Sequence, residues 1–402
     1  MPGLKTFALT VTVGGGSRWE GPARAGWSHF LEHLVFKGAG EMDAREIVER
    51  VEREGGHVNA ATGHERTSFE VRGVDGSLDM ALQVVSDLIL RPTLDPAEVE
   101  REKDVVAQEI AEAFDTPDDH VFEMAQAQAF PDQPLGRPIL GTVKALKPAT
   151  REAVEAWRAA LYAPERLVVA ASGAVDPDRL VEAVARRFGD ASGPAAEAPE
   201  TARFVGGRAT LRRRIEQANL VFLAPACGVR DPLYPATRLL AEILGGGMAS
   251  RLFQKAREEL GLAYAIDAWF DAYDETGLMG VYAGCAPDRA ETLARVCARE
   301  LRELATQGPT EAELARAKAV QVAGLLMSDE SPTSRASRAA AQTLIFGAPI
   351  PAEVSVGRVR EQTVETVRAA ARLALDGRSA SAVLGPAAAH GAGRVFAEVL
   401  AA

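Results

Sequence analysis

The stretch "PAEVEREKDVVAQE" (96–109) returns in the second half of the chain as "EAELARAKAVQVAG" (311–324). Glu98 aligns with Glu313, Val99 with Leu314, Arg101 with Arg316 and Lys103 with Lys318. Between the two copies "GDASGPAAEAPETARF" brings two prolines, small residues and no periodicity, which is the composition of a linker, and beyond it the order of elements restarts. Two amphipathic helices can share such a pattern without a duplication. A shared pattern on either side of a linker nevertheless predicts related halves, residues 1–190 and 206–402, joined by residues 191–205. A chain of 402 residues is long enough for each half to bury its own core.

Within the first half "FALTVTVGGG" alternates and then breaks at glycines, a strand and a loop. "DAREIVERVEREGG" reads as a helix ending at Gly55 and Gly56, "HVNAATGHERTSFEVRGV" as a hairpin, and "GSLDMALQVVSDLILRPTL" as a helix that stops at Pro92. The repeated segment is a long helix with Asp95 as N-cap and Pro96 at its first position. "VEAWRAALYAPERLVVAASGAV" gives a helix, a turn at Pro164 and a buried strand. Strands and helices are mixed and hairpins are prominent, so the class is α+β.

In the aligned register Glu102 stands opposite Ala317 and Glu109 opposite Gly324. If the halves are duplicates, these carboxylates serve something that only the first half keeps. "WSHFLEHLVFKG" (27–38) suggests what, because it places two of the chain's six histidines four residues apart with Glu32 beside the second. Phe30, Leu31, Leu34 and Val35 recur at helical spacing, so His29 and His33 share one face of a helix. Two imidazoles one turn apart can hold one metal, and a neighbouring carboxylate can act as base toward a water, which is what hydrolysis requires of an H-x-x-E-H string. The plainer alternative is a pair of histidines lining a buried helix. A catalytic zinc takes a third protein ligand. Glu102 and Glu109, seven residues apart on one face of the long helix, are both placed to supply it.

Charge and composition narrow the class further. A content of 47% hydrophobic and 25% charged residues is that of a soluble globular protein, with no apolar run of membrane-spanning length and no basic-then-apolar leader, which favours the cytoplasm. The net charge of −11, without a basic stripe, argues against nucleic acid as a partner; it reads as a solvated acidic surface before it reads as a preference for cationic substrates. Cys227, Cys285 and Cys297 form neither a disulfide framework nor a thiolate metal site and are expected as buried small residues. His57 and His64 are better read as loop or strand histidines than as ligands, and His120 and His390 lack an evident partner.

Taken together, "GWSHFLEHLVFKG", "GGHVNAATGHERTSFE", "EREKDVVAQEI", "PLGRPILGT", "LYAPERLVVAASGAV" and "LGGGMASRLFQKAREELGLAY" resemble the pitrilysin-type (M16) zinc metallopeptidases. The bacterial single-chain members and the beta subunit of the mitochondrial processing peptidase are the most similar. The resemblance covers nearly the whole chain. It implies two α/β-sandwich halves of the LuxS/MPP-like metallohydrolase fold, with mixed, largely antiparallel sheets and helices packed on them. It further implies one Zn2+ per chain, held by His29, His33 and Glu109, with Glu32 as general base and Glu102 tuning the histidines from behind. Arg257 and Tyr264, seven residues apart in "REELGLAY", match the family's substrate-contacting pair in a second half that has no metal site. Asn59, Ala60, Ala61 and Thr62 match its substrate-pairing strand.

The expected activity is endopeptidase cleavage of peptides or unfolded segments in an enclosed chamber. Because both residue sets occur in one chain, a homodimer is expected over a pair of unlike chains. The alternative is a non-catalytic partner or core subunit of the same fold; a structural zinc site would not need Glu32. Two departures stand out. The family places a further strand before "MPGL", so a targeting segment upstream would not be visible here, and "TGHERT" differs from the commoner "TSREHT", a change expected to bear on substrate preference and not on the metal.

Overall fold

The computed structural model describes residues 1, 3–193 and 196–402. The first series of elements runs β1 (Thr6–Val13), α1 (Trp27–Val35), β2 (Gly38–Ala39), β3 (Met42–Asp43), α2 (Ala44–Glu52), β4 (His57–Thr62), β5 (Thr67–Val74), α3 (Leu78–Leu90), α4 (Pro96–Asp115), α5 (Pro117–Ala129), α6 (Val143–Leu146), α7 (Arg151–Leu161), β6 (Leu167–Gly173) and α8 (Pro177–Phe188). The second runs β7 (Gly207–Arg212), β8 (Ala218–Ala226), α9 (Tyr234–Gly245), a π-helical segment Phe253–Glu259, β9 (Ala263–Ala272), β10 (Gly277–Cys285), α10 (Ala290–Thr306), α11 (Glu311–Glu330), α12 (Pro332–Phe346), α13 (Ala352–Arg360), α14 (Val364–Leu373), β11 (Ala380–Gly385) and α15 (Ala392–Ala401). The α+β class holds, and the two series share an order of strands and helices. Pro194 and Ala195 of the expected linker lie outside the described residues.

The compact units are not the contiguous halves, because each takes a helix from the other half. One unit comprises residues 1–111, 138–200 and 326–352; the other comprises 112–137, 201–325 and 353–402. Thus α12 packs on β1 and β6 in the first unit, while α5 packs on β8 and β11 in the second. An amphipathic pattern states that a helix has an apolar face but not which sheet receives it.

In the first unit the sheet order is β4-β5-β1-β6, all antiparallel, with β4 at one edge. Phe7, Leu9, Val11 and Val13 alternate along β1 and pack with α1 and α3 residues such as Phe30, Leu34, Leu82 and Leu88. Thr10 and Thr12 take the opposite face, where Thr10 Oγ1 lies 3.5 Å from Ser337 Oγ of α12. The strand expected to be buried, β6, is half-buried for most of its length because it forms the other edge of this sheet. In the second unit the order is β7-β11-β8-β10-β9, with β7 parallel to β11 and the other pairs antiparallel. Leu220, Phe222 and Val383 face one core, and Val221, Leu223, Ala382 and Leu384 face another built on α5. All three cysteines are buried and free. No helix among the described residues is long and apolar enough to cross a membrane.

Candidate metal centre

The first helix is built to hold its histidines in place. Phe30, Leu31, Leu34 and Val35 are fully buried, each contributing roughly 1.5–3 kcal/mol of transfer free energy. Its N-terminus carries no side-chain cap from its own N-cap residue, Gly26. Instead the carboxylate of Glu20 accepts from the Gly26 and Ser28 backbone N–H groups at 2.7 and 2.6 Å, placing a negative charge at the positive end of the helix. Gly26 has φ +94, and a Cβ there would lie 2.4 Å from the Leu140 carbonyl oxygen. Gly141, φ +70, in turn presses on the Ala25 carbonyl. The close approach of "GWSHFLEHLVFKG" and "PLGRPILGT" therefore demands glycine on both sides. Trp27 locks the same junction by donating its indole N–H to the Ala145 carbonyl at 2.9 Å.

On the outward face the rings of His29 and His33 sit 4.6 Å apart. Glu109 of α4 brings its Oε2 to 3.8 Å from His29 Nε2 and 3.5 Å from His33 Nε2. The three side chains offer ligand atoms within 4.8 Å of one another. Two imidazole nitrogens and one carboxylate oxygen, with no fourth protein donor in that set, are the donor chemistry of an open zinc site. The His29 ring is held down at about 4, first by burial and then by the charge of His33, so it is neutral near pH 7, as a ligand must be. Glu102, one of the two carboxylates left open by the helix reading, turns to the other nitrogen of His33, with Oε2 at 3.1 Å from Nδ1.

Glu32 projects beside these groups, and its Oε2 accepts from the Thr62 hydroxyl at 2.5 Å. Burial raises its carboxyl above the usual range; the Thr62 hydrogen bond and the nearby His33 oppose that rise. Behind it the buried Tyr162 phenol is held above its ordinary range, first by burial and then by the Glu32 charge. Thr62 ends β4, the edge strand, whose pairing partner is β5 alone among the described residues. Asn59 and Ala61 are exposed, while Ala60 and Thr62 are half-buried.

Arg257 lies in the π-helical segment of the second unit, its guanidinium 4.9 Å over the Phe253 ring, and Tyr264 opens β9 with 61% exposure, an unusual degree for a strand tyrosine. His57 is an exposed residue of β4, and His64 is half-buried with Nδ1 3.0 Å from Ser17 Oγ. His120 Nδ1 meets the Phe114 carbonyl at 3.1 Å, and His390 Nε2 meets the Gly385 carbonyl at 3.2 Å. Sequence reasoning missed three contributors. Lys37, four residues after His33, pairs with Glu102 at 2.8 Å; that spacing was its signal. Thr62 was read for the substrate strand and not as the partner of Glu32, and nothing local marks Glu20 as the cap of α1.

Residues 2–143 match the family described as Insulinase (Peptidase family M16), and residues 148–321 match Peptidase M16 inactive domain. The chain is 37% identical to an uncharacterized zinc protease of Mycobacterium tuberculosis strain H37Rv, covering 100% of this chain and 92% of that one. It is 34% identical to an uncharacterized zinc protease of Rickettsia felis, over 96% and 94%, and 32% identical to the uncharacterized zinc protease YmxG of Bacillus subtilis, also over 96% and 94%. In fold it is similar to a peptidase M16 inactive domain from Pseudomonas fluorescens, with a TM-score of 0.88 at 22% identity over 96% and 94% of the two chains. It is also similar to a protease from Helicobacter pylori, with a TM-score of 0.86 at 20% identity over 95% of each. With relatives this similar along its full length, the chain belongs to the M16 peptidase family.

Proposed function

We propose that the protein is a zinc-dependent endopeptidase that hydrolyses peptides or unfolded segments. The observation that supports this most is the convergence of His29, His33 and Glu109 within 4.8 Å, with Glu32 one residue from His33 on the same helix. When bound, zinc supplies Lewis-acid polarisation of water and of the scissile carbonyl. His29 and His33 offer neutral nitrogens and Glu109 a carboxylate oxygen to hold it, and Glu102 orients His33. Glu32 takes a proton from the attacking water and returns it to the departing amine. Its raised carboxyl is better matched to that exchange near neutral pH than an ordinary glutamate, and Thr62 holds one of its two oxygens, Oε2.

Asn59 to Thr62 lie on an open sheet edge, the geometry that accepts an extended peptide by strand addition. Arg257 and Tyr264 are assigned to the substrate on the family resemblance, the phenol as donor to the developing oxyanion. We assign a homodimer with substrates confined to a chamber on the same ground; a mass measurement finding an obligate second, motif-lacking chain overturns that assignment. A complete H-x-x-E-H set favours catalysis over the non-catalytic reading of the fold.

The test is cleavage of a quenched fluorescent peptide library by the wild type and by Glu32→Gln, with metal content measured in both. Wild-type cleavage, lost in the variant while zinc is retained, supports the peptidase. Zinc in both and cleavage in neither returns the reading to a non-catalytic partner, and manganese or cobalt in place of zinc corrects the metal.

A further inference from the structure

We propose that Lys37 is a positioning residue for the metal-holding imidazole of His33, acting through Glu102; this inference rests on the metallopeptidase reading above. Lys37 follows His33 by four residues, just beyond the C-cap of α1 at Phe36, so both side chains leave the helix on one side. Its Nζ lies 2.8 Å from Glu102 Oε1, and Glu102 Oε2 lies 3.1 Å from His33 Nδ1. One carboxylate, 2% exposed, is thus shared end to end between an ammonium and an imidazole that come from the other helix.

The chemistry of His33 explains why this sharing matters. For Nε2 to offer its lone pair to a metal held together with Glu109, the ring proton must sit on Nδ1, and that Nδ1–H is fixed by an acceptor. Glu102 Oε2 is that acceptor, so it selects the tautomer and the ring rotation together. Glu102 reaches across from α4 on a flexible stem whose carboxylate can turn about its last bond. Lys37 occupies the second oxygen and supplies the opposite charge that a buried carboxylate requires, so the first oxygen stays aimed at His33. Among the described residues nothing equivalent supports the companion ligand: His29 Nδ1 is buried without a hydrogen-bond partner there, so a bond of this kind orients His33 and not His29.

The sign of the effect separates this role from simple electrostatics. An ammonium near a divalent cation repels it, so by charge alone the loss of Lys37 tightens zinc binding. A positioning role predicts the reverse.

The experiment is a zinc titration of the full-length protein in competition with a chromophoric chelator, for wild type, Lys37→Met, Lys37→Arg, Glu102→Gln and the double variant Lys37→Met/Glu102→Gln. The expected result is zinc affinity about 10- to 100-fold weaker in Lys37→Met, the range for partners of this kind, and restored to within about threefold by Lys37→Arg. In the Glu102→Gln background Lys37→Met adds no further loss, because its effect runs through the missing carboxylate. Far-ultraviolet circular dichroism of the metal-free variants checks the fold, and Lys37→Gln replaces Lys37→Met if the latter does not fold. Zinc binding that is unchanged or tighter in Lys37→Met, or losses that simply add in the double variant, overturn this inference alone. A wild type that binds no zinc overturns the metallopeptidase reading and this inference with it.

Discussion

The two series of elements share most of their strand and helix order, with different chemistry at matching places. In the first, α4 presents Glu102 and Glu109; at the aligned positions of α11 the second has Ala317, buried at 1%, and Gly324. Among the described residues the sheet of the first unit has four strands and that of the second has five. Glu313 of the second unit answers a different need: Arg251 places its Nε 2.6 Å from Glu313 Oε1 and its Nη2 2.9 Å from Glu313 Oε2, tying the helical turn before Phe253 to the start of α11. The difference teaches that this order of elements forms with or without the carboxylates of the candidate metal centre. One architecture stands with the carboxylates and one stands without them.

The largest effect expected from breaking that comparison comes from Glu109→Gly, which gives the first unit the residue of the second. It should abolish high-affinity zinc binding and lower kcat/KM by on the order of a thousandfold or more, because two imidazoles alone do not hold a catalytic zinc. The reverse change, Gly324→Glu, should create no site, since α9 offers "LLAEILG" where α1 offers His29 and His33. Metal analysis of both variants decides it, and zinc retained by Glu109→Gly would remove that residue from the ligand set.

The next effect is on the backbone. Gly26→Ala combines a positive φ with a Cβ 2.4 Å from a carbonyl oxygen, so it should destabilise the first unit by about 3 kcal/mol or more in chemical denaturation. Gly247→Ala, on the exposed glycine run of the second, meets nothing nearer than Glu242 Oε1 at 3.9 Å and should stay within about 0.5 kcal/mol of wild type. Equal costs would mean that the junction of Gly26 with Gly141 is not the constraint described.

These contacts also mark what the sequence did and did not display. Local patterns were legible. "DAREIVERVEREGG" forms α2, Asp95 accepts from the Ala97 N–H at the start of α4, and "HVNAAT" pairs with "TSFEVRGV" as a hairpin. The candidate donors were legible too, because His29 and His33 are neighbours on one helix and Glu102 and Glu109 share a face of another. Long-range placements were not. Whether Glu102 or Glu109 meets the ring nitrogens that face each other depends on the crossing of α1 and α4, which no periodicity encodes. The landing of α5 and α12 on their sheets and the capping of α1 by Glu20 likewise depend on tertiary packing.

A pH dependence should distinguish the units next. His64, half-buried in the first, is held at about 4, first by its desolvation and then by the charge of Arg18, against an ordinary value of 6.5. The folded protein keeps it neutral while the unfolded chain takes up a proton below pH 6.5. Its contribution is therefore intact above 6.5 and is lost as the pH falls toward 4, by about 3 kcal/mol at 1.36 kcal/mol per unit. The difference between wild type and His64→Gln in denaturation midpoints, taken from pH 7 to pH 4, should shrink or reverse over that interval. A constant difference would show that His64 does not set the acid limit.

The smallest effect tests the faces that α5 and α12 cover. In the second unit α5 packs apolar side chains on the sheet, Val121 and Ala125 against Val221, Leu223 and Leu384, all fully or almost fully buried. In the first, α12 buries only the small side chains Ala336 and Ala340 and adds polar contacts to the sheet: Ser337 Oγ donates to Glu70 Oε1 at 2.8 Å and lies beside Thr10. Removing methyl groups from a close-packed apolar layer loses transfer free energy and leaves a cavity, so Val121→Ala should cost about 2 kcal/mol. Deleting one hydroxyl from a half-buried polar contact loses about 1 kcal/mol, because Glu70 can recover a partner from water. The two helices occupy equivalent positions in the element order, so equal losses for Val121→Ala and Ser337→Ala would show that position in the fold, not the chemistry of the covered face, sets the strength of attachment. A larger loss at Val121 would locate the stronger attachment in the unit without the metal centre and leave the polar face to the unit that carries it.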